Sequence, residues 1–376
     1  MRSHIKLGRV FGVEIGLHYS WIVIGVLIVF SLAEHFQFTH PEWDSAVVWA
    51  SAALTALLFF TTLVMHELAH AVVANREGLP VRSITLFALG GVAQIEEEPA
   101  TARQEFQMAI VGPLASAVIG AVCLGIAWGL GWRDWGVPAE PFVAVLLWLG
   151  YINLALAAFN MIPGYPLDGG RVLRALVWRI TGNPRRSTRV AAQTGRVVAV
   201  LFIAVGLIRF AAGGGLGGLW IVFIGWFLLD AAGSSYAQLR MTEILSGVRV
   251  GDLMARDCPK VEAWTNLQSF VDDNRLQSAR FCYIVTGNGQ VAGLISPREI
   301  RLVPPPQWRF KTVFDVMRPL DESPTISPEA PITDALEAMG REDLSQLPVA
   351  SNGRIEGVIS RATVVGFLEA RGHLRP

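Results

Sequence analysis

Residues 61–70 read Thr61-Thr62-Leu63-Val64-Met65-His66-Glu67-Leu68-Ala69-His70. They close a stretch, 45–66, that contains no Asp, Glu, Lys or Arg. A helix needs about 20 mostly apolar residues to cross the hydrocarbon of a bilayer, and this stretch supplies them. On a helix, positions four apart share one face, so both imidazoles can bind one metal ion. The glutamate between them stands beside that metal and can take a proton from its water. The plainer reading is polar side chains packed inside a bundle. Two histidines and a glutamate at the end of an apolar helix are costly to hold, and ionisable groups in a membrane segment mark function. The stretch therefore predicts a membrane-spanning protein with metal chemistry at the end of one span.

Four further runs, 15–33, 106–132, 141–167 and 210–229, also carry no charged residue. A weaker span lies at 190–208, interrupted by Arg196, which can snorkel from near a helix end. The expectation is six spans. Composition agrees: 52% of residues are hydrophobic, 16% are charged, and mean hydropathy is +0.44, which argues against a single water-soluble domain. Charge is unevenly spread. Residues 1–240 hold 16 basic and 14 acidic residues; 241–376 hold 15 and 17 in little more than half the length. That shift predicts a membrane domain followed by a soluble one. Formal net charge is zero, so nothing points to nucleic acid. Three cysteines, Cys123, Cys258 and Cys282, are too few and scattered for a disulfide framework or a cysteine metal site. The first span is not a cleavable signal, because a patterned segment precedes it and no small-residue cleavage site follows.

Six spans place both termini on one side. The segment after span four holds Arg171, Arg174, Arg179, Arg185, Arg186, Arg189 and Arg196, and the N-terminus holds Arg2, Lys6 and Arg9. The opposite loops, 34–44 and 133–140, hold only Arg133 against five acidic residues. The positive-inside rule then puts both termini and the C-terminal domain in the cytoplasm of a multi-pass plasma-membrane protein. The Gly-rich 213–218 would join the last two spans outside.

A catalytic zinc takes three protein ligands and keeps a fourth position open. The best third candidate is Asp168, within Asn160-Met161-Ile162-Pro163-Gly164-Tyr165-Pro166-Leu167-Asp168-Gly169-Gly170-Arg171. Spans two and four both run inward. His70 and Asp168 therefore fall at the same, cytoplasmic, side of the bilayer. The prolines and paired glycines break the helix and let backbone approach a metal from a cavity.

These residues, with Gly112-Pro113-Leu114-Ala115-Ser116 and Gly8-Arg9-Val10-Phe11-Gly12 … His18, resemble the site-2 protease family of intramembrane zinc metalloproteases over essentially the whole chain. The resemblance implies one Zn2+ held by His66, His70 and Asp168, Glu67 as general base, and Asn160 holding the scissile carbonyl or its oxyanion. It also implies a membrane-associated β-hairpin at 80–98, where Val81, Ile84, Leu86 and Val92 flank Gly90-Gly91. An exposed strand edge there could pair with an unwound substrate segment. His4, His18, His35, His40 and His373 show no ligand spacing; His18 is expected to pack at the interface.

The soluble half contains an internal repeat. Val250-Gly251-Asp252-Leu253-Met254 matches Val313-Phe314-Asp315-Val316-Met317, and 289–296 matches 353–360, at offsets of 63 and 64. With turns at Gly287-Asn288-Gly289 and Asn352-Gly353, this resembles a tandem pair of CBS α/β domains, 241–304 and 305–376, after a membrane protease domain at 1–240. Such pairs bind adenine nucleotides through a Ser/Thr followed three positions later by Asp. Here Ser296 and Glu299 form the first such site, with Glu in place of Asp, and Ser360-Arg361-Ala362-Thr363 has lost the acid. At most one good site for ATP, ADP or AMP is expected. The resemblance further implies a transmembrane protein substrate, such as an anti-sigma factor or membrane-tethered transcription factor, and a homodimer. A CBS-regulated transporter is the competing class. It predicts inverted repeats among the spans and substrate groups at the midplane, and the sequence shows neither. Intact motifs oppose an inactive scaffold.

Overall fold

The computed structural model describes residues 5–87, 90–95, 99–133, 140–274, 283–319, 324–351 and 354–372. It forms two compact units, Met1–Leu239 and Arg240–Pro376. The turn at Asn352-Gly353, His4 and His373 lie outside the described residues.

The first unit contains α1 (Ser20–Thr39), α2 (Ser45–Arg76), α3 (Ala102–Gly129), α4 (Pro141–Asn160), a 14-residue α5 (Asp168–Thr181), α6 (Pro184–Arg209) and most of α7 (Gly215–Leu245), whose last residues belong to the second unit. Among the described residues, six helices are long and apolar enough to cross a membrane, and α5 is not one of them. The sixth span overlaps α7 as far as Ser234, and the fifth extends α6 to Gly213. The α6–α7 reversal falls at Gly213 and Gly215, whose φ angles of +88° and +52° suit glycine. At 1.5 Å per residue, His66 lies about 32 Å along α2 from Ser45, one hydrocarbon thickness away.

Span four departs from expectation. The charge-free run reaches 167, yet α4 stops at Asn160. Pro163 and Pro166 cannot donate in a helical ladder, and the chain turns until α5 begins at Asp168. This turn places the motif aspartate at a helix start.

The expected hairpin is part of a larger sheet. β1 (Ile5–Val10) and β2 (Val13–Leu17) pair antiparallel, β2 runs parallel to β3 (Val81–Phe87), and β3 pairs antiparallel with β4 (Gly90–Ile95). The order is β1-β2-β3-β4. Gly90 and Gly91 are strand residues, Gly91 opposite Leu86, and do not form the turn. The β1–β2 turn has φ of +48° at Phe11 and +83° at Gly12, the signs of a two-residue type I′ connection. Val13, Leu17, Val81, Ile84 and Leu86 pack on Ala71 and Ala74 of α2 and Met108 of α3. Burial of each large aliphatic side chain contributes roughly 1.5–3 kcal/mol. The sheet is thereby fixed against the end of α2 that carries the histidines.

In the second unit, a sheet of β5 (Lys260–Glu262), β6 (Tyr283–Gly287), β7 (Gln290–Ile295) and β8 (Arg318–Pro319) stands beside a pair, β9 (Gln346–Ser351) and β10 (Arg354–Ser360). Helices α8 (Val250–Leu253), α9 (Leu267–Asn274), α10 (Pro297–Arg301), α11 (Ile332–Arg341) and α12 (Arg361–Gly372) complete it. The repeated segments exchange places. Val250 and Met254 pack with Ile332, Leu347 and Ile359 of the second half. Val313 packs with Leu267, Tyr283 and Ile295 of the first. The sequence repeat and the packing unit are therefore offset by one segment.

Candidate metal centre

His66 and His70 sit one turn apart on α2, with relative exposures of 3% and 9%. Their Nε2 atoms are 3.3 Å apart. Asp168, the first residue of α5, places Oδ2 3.2 Å from each of them. The three residues form a cluster that could hold a metal ion. Ligand atoms bonded at 2.0–2.2 Å to a tetrahedral zinc stand roughly 3.3–3.6 Å apart, so the observed triangle suits that ion.

The opposite ring nitrogens are held by α3. His70 Nδ1 is 2.6 Å from the Met108 carbonyl oxygen. Only an N–H can pair with that acceptor, so Nε2 keeps its lone pair for a metal. His66 Nδ1 is 2.9 Å from Ser116 Oγ, and Ser116 is fully buried. Met108, Gly112 and Ser116 are spaced by four and line one stripe of α3. Gly112 lies between the two anchors, beneath both rings. A Cβ there would fall onto His70 Nε2 and 2.7 Å from His66 Nε2. The glycine is what lets α3 approach.

Asp168 is placed by close backbone packing. A Cβ on Gly169 would meet the Ile162 carbonyl oxygen at 2.5 Å, and one on Gly164 would meet Gly195 Cα of α6 at 2.5 Å. A buried charge network adds to this. Glu105 on α3, 0% exposed, accepts from Arg171 Nε at 3.1 Å and Arg174 Nη1 at 2.9 Å, both on α5. Arg174 Nε also donates to Thr188 Oγ1 of α6 at 3.0 Å. Thus α3 holds the histidines directly and holds the aspartate through α5.

Glu67 lies one residue past His66, and its carboxyl packs against β4. A Cβ on Gly91 would stand 2.7 Å from Glu67 Cδ and 3.0 Å from its Oε1. A side chain at 91 would displace the carboxyl. Asn160 is the half-buried last residue of α4, one residue before the turn whose carbonyls cover Gly169. Among the described contacts it makes no side-chain hydrogen bond to His66, Glu67, His70 or Asp168. His18 pairs through Nδ1 with Ser20 Oγ at 2.8 Å.

In the second unit, Ser296 is 3% exposed and its hydroxyl bonds the Glu299 carboxylate. The Ser296 N–H donates to the same oxygen at 2.9 Å. Glu299 therefore caps the first turn of α10. Ser360 and Thr363 repeat the arrangement at α12, with Oγ and Oγ1 2.8 Å apart. Ser345 Oγ approaches Ser296 Oγ to 3.4 Å from the other half.

Sequence reasoning overlooked Glu105, the Met108 carbonyl and the roles of Ser116, Gly112 and Gly91. One signal was available: a lone glutamate heads the apolar α3, and two arginines three apart follow Asp168.

A profile of Peptidase family M50 matches residues 54–132 and 136–203, and a CBS domain profile matches 313–370. Rip3 of Mycobacterium tuberculosis is 36% identical over 98% of this chain and 94% of its own length. The protein sll0528 of Synechocystis is 32% identical, over 98% and 96%. MJ0392 of Methanocaldococcus jannaschii is 27% identical over the full length of both chains. All three are named zinc metalloproteases. Among solved structures, the site-2 protease from Methanocaldococcus jannaschii is 29% identical, covers 61% of this chain and 94% of its own, and has a TM-score of 0.43.

Proposed function

Because the chain belongs to peptidase family M50, the zinc-dependent site-2 proteases, we propose that it cuts a peptide bond within a transmembrane segment of a membrane-tethered regulator, such as an anti-sigma factor or a transcription factor precursor. One observation carries the reading. Three ligand-type side chains from two helices converge within 3.3 Å toward the C-terminal end of α2, a candidate membrane span, with a glutamate adjoining them. His66, His70 and Asp168 would hold the metal.

Zinc, when bound, supplies Lewis-acid polarisation of the scissile carbonyl and a water that loses its proton near neutral pH. Glu67 accepts that proton and passes it to the leaving amine. Asn160 donates to the carbonyl oxygen as negative charge develops there, a contribution worth about 3 kcal/mol at comparable sites. Buried packing around the histidines limits water. β4 is one of the two outer strands of the sheet and lies against Glu67, which supports pairing of an extended substrate segment along its edge. A transmembrane helix must lose local structure before its peptide bond can reach the metal, and strand pairing satisfies the backbone groups it exposes.

We assign 1–240 to the protease and 241–304 and 305–376 to a CBS pair in the cytoplasm, with both termini on that side as the arginine distribution favours. The pair regulates cleavage through adenine nucleotide at Ser296 and Glu299, or through a homodimer.

Metal content of detergent-purified protein tests the site without a known substrate. About one zinc per chain is expected in the wild type, and none in His66→Ala or Asp168→Ala. A wild type that takes up no zinc would return the chain to the transporter or scaffold class. Glu67→Gln should keep its zinc and lose cleavage; cleavage at the wild-type rate would refute the base.

A further inference from the structure

The α5–α6 corner has a surface that the protease reading leaves unexplained. Val172 and Ala175 bury one face of α5 against the bundle, while Leu176 and Ile180, four apart, are 47% and 83% exposed. The helix is too short to span, so water would wet this apolar pair unless lipid covers it. Exposed Arg179 lies beside Ile180, and Arg185, Arg186 and Arg189 are exposed on the first turns of α6. No Asp or Glu occurs from 169 to 229. Arg174 stacks over the Trp178 ring at 5.4 Å, placing an aromatic at the same corner.

Depth agrees with a lipid contact. The apolar part of α6 begins at Val190. Pro184–Arg189 therefore extend about 9 Å beyond the hydrocarbon, into the head-group layer. An amphipathic helix with an exposed aliphatic pair and flanking arginines is the pattern that lies in that layer.

We propose that this corner binds anionic phospholipid head groups, with Leu176 and Ile180 among the acyl chains and the exposed Arg179 and Arg186 at the phosphates. The consequence for the site is mechanical. α5 begins with Asp168, and Glu105 braces it from the protein side. The lipid braces the opposite end, so membrane charge bears on the third ligand. This does not rest on the protease reading, because the binding surface contains no residue of the metal cluster.

The test measures binding of fluorescent phosphatidylglycerol and phosphatidylcholine to the full chain in neutral detergent. The wild type should prefer phosphatidylglycerol, and the preference should fall as sodium chloride rises from 50 to 500 mM. Arg179→Gln with Arg186→Gln should weaken phosphatidylglycerol binding roughly ten- to thirty-fold, the effect of two charges lost at a membrane surface. Arg179→Lys with Arg186→Lys should restore it. Equal binding of both lipids, indifference to salt, or an unchanged Gln variant overturns the proposal. So does displacement of the lipid by heparin at matched charge, which would make the corner a site for soluble polyanions. The salt arm needs no variant and decides the matter if the Gln protein fails to fold.

Discussion

Gly112→Ala sets two physical effects against each other. Alanine is favoured over glycine in a helix interior by up to about 1 kcal/mol, so helix propensity alone predicts a slightly more stable protein. The site predicts damage. The added methyl would fall onto His70 Nε2, 2.5 Å from His70 Cε1 and 2.7 Å from His66 Nε2, where carbon contacts normally stand 3.5–4 Å apart. Neither ring can retreat freely, because His70 is tied to the Met108 carbonyl at 2.6 Å and His66 to Ser116 at 2.9 Å. Overpacking of this kind costs about 1–3 kcal/mol where neighbours are fixed. Here relief requires moving at least one ligand nitrogen by more than about 0.5 Å, outside the tolerance of a metal site. Zinc affinity should fall by at least roughly 100-fold, near 3 kcal/mol. Competition with a chelator on detergent-purified protein reads the affinity, and thermal unfolding of the metal-free form controls for folding. A variant that binds one zinc at wild-type affinity would show that Gly112 does not face the metal, and the placement of α3 against the cluster would be wrong.

Three other outcomes follow from the same contacts. Ser116→Ala removes the partner that orients His66 and should weaken zinc binding about 10- to 100-fold, with little change in melting temperature, read by the same competition. Glu105→Gln leaves Arg171 and Arg174 without their buried counter-charge. It should destabilise the chain by about 3–5 kcal/mol in thermal unfolding and lower zinc occupancy, because α5 carries Asp168; an unchanged zinc content would separate the clamp from the ligand. Millimolar AMP, ADP or ATP should raise the melting temperature of the full chain, and Ser296→Ala should remove the rise; no shift with any of the three would leave the CBS pair as a structural module.

The paired histidines were legible because helical spacing alone puts them on one face. Asp168 was legible because proline and glycine ended the fourth span where topology required a ligand. The spans were legible from charge-free runs, although the fourth ran seven residues too long, since proline chemistry and not charge ends that helix. The N-terminal strands were missed. β2 pairs with β3 across more than sixty residues and β1 joins the sheet only through β2; the apolar alternation of Val13, Ile15 and Leu17 does not name a partner so distant in sequence. The sequence offers Glu299 as an expected nucleotide ligand; the fold adds that its carboxylate also accepts from the Ser296 N–H and hydroxyl, a contact that spacing alone does not reveal.

Local spacing by itself thus determined the candidate ligand types, the membrane spans and the repeated C-terminal half, because 3.6-residue periodicity and hydrocarbon thickness act over single segments. The tertiary structure alone decided what makes those ligands a site: the Met108 carbonyl that sets the His70 tautomer, the absent side chain at Gly112, the Glu105 brace on α5 and the seat of Glu67 against Gly91. A backbone carbonyl has no residue type, and a glycine shows its purpose only when a neighbouring helix occupies the space a methyl would fill. Both depend on which helices lie side by side, and helix periodicity does not encode that.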